Sequence, residues 1–269
     1  MKTEKIKYYP ILVILSFILF TIPGCLVVDP DQNIDNNNYS AKESVQMNFQ
    51  VSDNSKITIE GINGTITIIG KTNSDEVKIR AEKIVASESD YDAQANLKNL
   101  DIQVVQSRES LQIKTIQPEN THGRNYTVNF EVYVPIHASI SIKNINGLVE
   151  VDSLQNDVDI NLINGNVSLD EIKGNVDVGV TNGQVNAQVT VPSRGKVNLQ
   201  TTNGAISLKI PQATSADFYA AVTNGNIKTS NLNMQNVNQS ATSLKARLGT
   251  GDGSINLKTV NGNIQMSGY

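Results

Sequence analysis

Apolar and polar residues alternate along most of this chain, and the alternation restarts each time after the same dipeptide. Asn146-Gly147 precedes Leu148-Val149-Glu150-Val151, and Asn164-Gly165 precedes Asn166-Val167-Ser168-Leu169. Asn182-Gly183 precedes Gln184-Val185-Asn186-Ala187, and Asn203-Gly204 precedes Ala205-Ile206-Ser207-Leu208. The unit returns at Asn224-Gly225-Asn226-Ile227 and at Asn261-Gly262-Asn263-Ile264, with an outlying copy at Asn63-Gly64-Thr65-Ile66. Period-two alternation predicts strands with one buried face. Asn-Gly predicts a tight turn, because both residues tolerate positive φ. The glycines are spaced by 18 residues from Gly147 to Gly165 to Gly183, then by 21 from Gly183 to Gly204 to Gly225. A fixed period of this length marks a repeat architecture whose units cannot fold singly. Half-way along one step, Gly174 opens Asn175-Val176-Asp177-Val178, so each repeat holds at least two strands.

Two architectures fit: a β-solenoid, in which each repeat is one coil and equivalent strands stack in parallel, and an antiparallel meander with a hairpin at each Asn-Gly. The period serves both. The solenoid is favoured because every copy keeps the same neighbours, with Thr, Ile or Val before Asn and an apolar residue two after Gly. Stacked coils place those positions over one another, whereas hairpins impose no such rule. In one coil Val167, Leu169, Ile172, Val176, Val178 and Val180 are expected to point inward. Their burial is worth about 1.5–3 kcal/mol each. That is less than the cost of ordering a lone coil, so stacking is required. Asparagine has two open readings, stacked side chains bonding along the axis or turn formation alone.

The N-terminus carries Lys2, Lys5 and Lys7, then an apolar run from Ile11 to Ile22. The run suits an export signal and is shorter than the roughly 20 residues of a membrane-spanning helix. It ends in Ile22-Pro23-Gly24-Cys25, which resembles the lipobox of bacterial lipoproteins, with Pro23 departing from the usual pattern. That resemblance implies cleavage before Cys25, lipid on this sole cysteine of the chain, and a signal peptide over residues 1–24. Residues 25–44 are then a polar tether. Their alternating acids imitate a calcium loop, but Pro30 intrudes, and the glycine and closing glutamate such a loop needs are missing.

Residues 45–140 are strand-rich and less regular, an N-terminal part and cap of first coils plus an insertion. Val128, Phe130, Val132 and Val134 form the cleanest strand, ended by Pro135. A helix is expected from Ser87-x-x-Asp90, with Ala93, Leu97 and Leu100 on one face. Residues 141–269 are the regular array. An irregular excursion over roughly 231–247 leads to Gly249-Thr250-Gly251-Asp252-Gly253-Ser254, a turn that lacks the Lys-Ser/Thr of a phosphate loop. The fold class is therefore all-β, a β-solenoid of roughly 18–21-residue coils behind an irregular cap.

Leu208-Lys209-Ile210-Pro211, Ala216-Asp217-Phe218, Val222-Thr223-Asn224-Gly225-Asn226-Ile227 and Leu257-Lys258-Thr259-Val260-Asn261-Gly262-Asn263-Ile264 occur in that order, with a glycine-rich turn before the last. Together they resemble the bacterial putative-adhesin domain of unknown function, over roughly residues 45–269. The resemblance implies a β-helix-like fold on an exported protein.

Candidate chemistry is sparse. His122 and His137 have no second metal ligand nearby in sequence, so no metal, cofactor or catalytic residue is assigned. Asp157 and Asp159 share a strand face about 7 Å apart. A glycosidase could use such a pair, yet solvated outer-face acids explain it better. A net charge of −4 without a basic stripe argues against nucleic acid. The absence of Trp argues against a sugar-stacking platform. The expected binding positions lie between the inward residues: Asn166, Ser168, Gln184, Asn186, Ser207, Asn226 and Lys228. The function expected is a non-enzymatic, adhesin-like envelope lipoprotein. It is held to the outer membrane or cell surface through Cys25 and meets an unknown protein or glycan. A polysaccharide-active enzyme and an envelope structural or signalling accessory are the rivals.

Overall fold

The computed structural model describes residues 37–107 and 109–269. Cys25, the expected export signal and the first part of the expected tether lie outside the described residues.

The chain opens with β1 (Tyr39–Gln50), β2 (Lys56–Glu60), β3 (Ile66–Lys71) and β4 (Glu76–Ser87). Helix α1 (Asp90–Leu97) and strands β5 (Asp101–Gln106), β6 (Ser110–Ile116) and β7 (Asn125–Pro135) follow. β8 (Ser139–Asn146), β9 (Val149–Asp152), β10 (Val158–Asn164), β11 (Val167–Ile172), β12 (Val176–Asn182), β13 (Val185–Val189), β14 (Lys196–Asn203) and β15 (Ile206–Ile210) make four coils in succession. The rest comprises β16 (Ala216–Asn224), β17 (Ile227–Ser230), β18 (Met234–Gln239), β19 (Ser243–Leu248), β20 (Gly253–Asn261) and β21 (Ile264–Gly268).

Each coil places one strand in each of two facing sheets, with the Asn-Gly turn between them. Sheet 1 runs β1-β4-β7-β3-β9-β11-β13-β15-β21-β17. Sheet 2 runs β18-β19-β16-β20-β14-β12-β10-β8-β2-β6-β5. Successive coils pair in parallel, Val158 beside Val176 beside Val197 in sheet 2 and Val167 beside Val185 beside Ile206 in sheet 1. The solenoid, not the meander, is the architecture. The six residues expected to point inward are all buried. They belong to one core that runs the length of the stack.

Four local expectations are corrected. First, β1 begins at Tyr39, inside the stretch read as tether. Ala41 is buried, Glu43 pairs with Lys83, and Met47 and Phe49 further along the strand pack against the core, which a solvated linker does not do. Second, α1 is capped by Ser89, whose hydroxyl accepts the Asp92 N–H, while Ser87 ends β4 and bonds the Asp92 side chain instead. Third, the excursion is an ordered antiparallel pair, β18 and β19, with Leu244, Ala246 and Leu248 extending the core under sheet 2.

The fourth correction concerns the order of coils. The coil β16–β17 does not stack on β14–β15. The coil β20–β21 lies between them, pairing in parallel with both. The 21-residue step from Gly204 to Gly225 therefore joins coils that do not touch. The outlying Asn63-Gly64 copy belongs to the same stack, because β2 and β3 pair with β8 and β9.

At the N-terminal end β1, β4 and β5 run antiparallel to their neighbours, and α1 packs against β1 and β4. Asp92 ties this end together. It accepts from Arg124 Nε at 2.6 Å and Nη2 at 2.7 Å, and from the Ser87 hydroxyl. The Arg124 guanidinium, then Ser87, holds the Asp92 carboxyl down from 3.8 to about 2.

Candidate functional site

The Asn-Gly turns form two continuous ladders along one edge of the solenoid. From Gly147 onward each turn glycine sits against the carbonyl of the glycine in an adjacent coil, and Gly64 ends the row against the Val128 carbonyl. A Cβ on Gly204 would lie 1.8 Å from the Gly183 oxygen, and its φ of 158° already disfavours a side chain. No residue other than glycine lets the coils approach this closely.

The asparagines bond to one another. Asn224 donates Nδ2 to Asn261 Oδ1, Asn261 to Asn203, Asn203 to Asn182, Asn182 to Asn164, Asn164 to Asn146, and Asn146 to Asn63, at 2.7–2.8 Å throughout. Asn63 ends the row on the Tyr126 carbonyl. Of the two readings of asparagine, stacking therefore holds alongside turn formation. These side chains are committed to the fold rather than to a partner.

The expected binding row lies on the outer face of sheet 1. Register places Ser168 between Glu150 and Asn186, and Asn186 beside Ser207. Gln265 follows Ser207, and Lys228 follows Gln265. The sequence reading missed Gln265, because the coil insertion separates Ser207 from Lys228. It also missed that the row continues through Glu150 and Thr67 to Glu131. The Tyr133 hydroxyl and Arg80 hold the Glu131 carboxyl below its usual range. The strip thus runs from acidic at the N-terminal end to Lys228 at the other. Gln184, Asn186 and Lys228 are exposed, while Ser168 and Ser207 are half-buried. Asn166 and Asn226 sit in the turns, where Asn166 Oδ1 accepts the Gln184 N–H and the Asn226 N–H bonds Asn263 Oδ1. Asn166 is therefore partly spent on structure.

Asp157 and Asp159 lie on the outer face of sheet 2, exposed to solvent. Asp157 accepts from the backbone and side chain of Asn175, and Asp159 from Asn161 Nδ2. Asp177, one coil on, accepts from Asn198. Each carboxylate is thus met by an amide donor. His137 Nε2 stands 4.0 Å from Asp53 on a shallow hollow, and His122 occupies an exposed turn. Among the described residues no group of three or more His, Cys, Asp or Glu is placed to hold a metal. No helix among them is long and apolar enough to cross a membrane.

One concavity was not anticipated. It is a groove of about 850 Å³ across the outer face of sheet 2, from Glu60 in β2 to Thr223 in β16. One signal pointed to it, since Ile145, Ile163 and Val260 precede ladder asparagines in positions that face outward.

The Toastrack DUF4097 family matches residues 31–267. Among solved structures, a putative cell adhesion protein from Clostridium sporogenes is 13% identical and aligns over 85% of this chain and all of its own, with a TM-score of 0.51. That likeness shows the fold. A putative adhesin from Bacteroides fragilis is 13% identical over 84% of this chain and 98% of its own, with a TM-score of 0.35. No curated protein matches the chain.

Proposed function

We propose that this chain, which belongs to the Toastrack DUF4097 family, is a non-enzymatic, adhesin-like binding module of the bacterial cell envelope. The observation that carries this reading is the in-register row Glu150, Ser168, Asn186, Ser207, Gln265 and Lys228. Its members repeat at the strand spacing of about 4.8 Å on a flat sheet face. Exposed polar contacts are worth only about 0.5–1.5 kcal/mol each, so a face of this kind binds through number. The name of the Clostridium sporogenes relative supports a surface role. Export and a lipid on Cys25 complete the proposal, holding the module at the outer membrane or cell surface against a protein or glycan partner.

The test is retention of the purified full-length chain on bacterial cells. Ser168→Ala alone is expected to weaken retention by well under tenfold. The triple variant Ser168→Ala, Asn186→Ala, Ser207→Ala is expected to abolish it with an unchanged circular dichroism spectrum. In the producing cell, Cys25→Ser is expected to remove lipid labelling. Loss of glycan turnover in Asp157→Asn, with the triple variant unaffected, would establish the rival enzyme instead.

A further inference from the structure

Gly179 is the one described glycine that the fold does not require. Every other one has a positive φ, or a backbone or packed side-chain atom within about 3.1 Å of where its Cβ would be. Gly179 has neither. Only the flexible Asn161 Oδ1 comes near, at 3.3 Å. A glycine inside a central strand weakens it, and its usual compensation is close approach by something else. Gly179 lies on the floor of the groove across sheet 2.

The floor is built from one outward column: Lys143, Asn161, Gly179, Gln200, Lys258 and Ala221 in successive strands. One wall is the column beside the asparagine ladder, in which Ile145, Ile163 and Val260 are 40–46% exposed and Thr181, Thr202 and Thr223 fill the other rungs. The groove crosses seven strands, a length of roughly 29 Å at the usual spacing.

Its chemistry narrows the occupant. These strands are paired on both sides, so the floor offers no free backbone for an added peptide strand. One N–H of Asn161 Nδ2 bonds Asp159 and one of Gln200 Nε2 bonds Asn198, which leaves the second N–H and the amide oxygen of each for hydroxyl groups. Lys143 and Lys258 form no ion pair among the described residues and stand roughly 19 Å apart. Lys258 also lies over the Tyr219 ring. The carboxylates nearest the groove are Glu60 at its end, which pairs with Lys114, and Asp159 and Asp177 one column away. A ligand suited to this needs an apolar flank, hydroxyl groups, spaced acids and a repeat close to the strand spacing.

We propose that the groove over Gly179 binds a linear acidic glycan lying along the solenoid axis. This rests on the binding-module reading and supplies its ligand class, on a different face from the polar row. Hydroxyls meet Asn161 and Gln200, sugar ring faces lie on the Ile145–Ile163 wall, and acid groups reach Lys143 and Lys258. A wall of aliphatic side chains in place of aromatic rings makes each sugar contribute little, so affinity must accumulate along the chain.

The test is calorimetric titration of the full-length chain with oligogalacturonates of two, four, six and eight residues. Affinity is expected to rise with length, level off at about six sugars, and fall with added salt. Gly179→Tyr fills the floor and is expected to lower affinity more than tenfold with unchanged thermal stability. Ile163→Glu, on the exposed wall, is expected to do the same and serves if Gly179→Tyr misfolds. Lys143→Ala with Lys258→Ala is expected to flatten the salt dependence. Full affinity in both Gly179→Tyr and Ile163→Glu, or no binding at any length, overturns the proposal. So does groove-sensitive binding of poly-glutamate or phosphatidylglycerol vesicles in place of the sugars. In each of those cases the cell-retention assay on the polar row still decides the binding-module reading separately.

Discussion

The middle of the solenoid and its N-terminal end hold neighbouring strands together by different chemistry. From β8 to β15 no ion pair occurs among the described residues, and most side-chain bonds between coils come from amide donors, onto asparagines in the ladder and onto Asp157 and Asp177. Before residue 138 charged pairs are frequent: Lys83 with Glu43, Arg80 with Glu131, Lys114 with Glu60, Arg124 with Asp92. A parallel stack sets each residue over its own equivalent at about 4.8 Å, and like charges at that distance repel. An amide carries both a donor and an acceptor, so asparagine can stack on asparagine without limit. At the N-terminal end neighbouring strands are not copies of one repeat, in the antiparallel pairs Glu43–Lys83 and Arg80–Glu131 and in the parallel pair Glu60–Lys114 alike, so opposite charges can meet.

The largest expected effect breaks the middle. Gly204→Ala drives a methyl into the Gly183 carbonyl at a backbone φ that resists it. It should cost about 2–5 kcal/mol, from overpacking and backbone strain together, read from urea denaturation. Gly123→Ala, in open space at the N-terminal end, should cost only the strain.

A smaller effect probes the amide rule itself. Asn182→Asp removes the donor that Asn164 accepts while keeping the acceptor that Asn203 needs. It should cost about 1–2 kcal/mol. Asn164→Asp combined with it should cost more than the two single changes together, and added salt should recover part of the excess.

The mildest test separates the regions by pH. Asp92 has a folded value of about 2 against an ordinary 3.8, so it stabilises the fold above that ordinary value. The contribution fades as pH falls through the interval and is gone below about 2. Hydrogen exchange should therefore show α1, β4 and the 121–124 turn losing protection between pH 4 and 2, while β10 to β15 keep theirs. Asp92→Asn should remove that pH dependence.

What could be read from the sequence follows the same division. Val167, Val176 and their equivalents announce their burial by period-two alternation, and Asn-Gly announces the turns, because both signals are local. The position of the β20–β21 coil is not local. The turns at Asn203, Asn224 and Asn261 present the same atoms to a neighbour, so nothing in their residues says which two touch. The helix start failed for a related reason. Ser87 and Ser89 are both hydroxyls near Asp90 and Asp92, and only the inward face of β4 decides that Ser87 turns toward the core. The groove escaped notice because Gly179 looks like any strand residue until the space above it is known.

The insertion of β20–β21 also bears on how the chain assembles in time. A polypeptide emerging from its N-terminus completes β16 and β17 before β20 and β21 exist. The edge left by β14 and β15 would at that moment accept the Asn224-Gly225 turn as readily as the later one. A chain that added its coils strictly in the order of synthesis would set β16 and β17 where β20 and β21 belong. For this solenoid the order of coils in space therefore differs from the order in which they are made, and β14 and β15 meet their native neighbours only once residues 253–268 are in place.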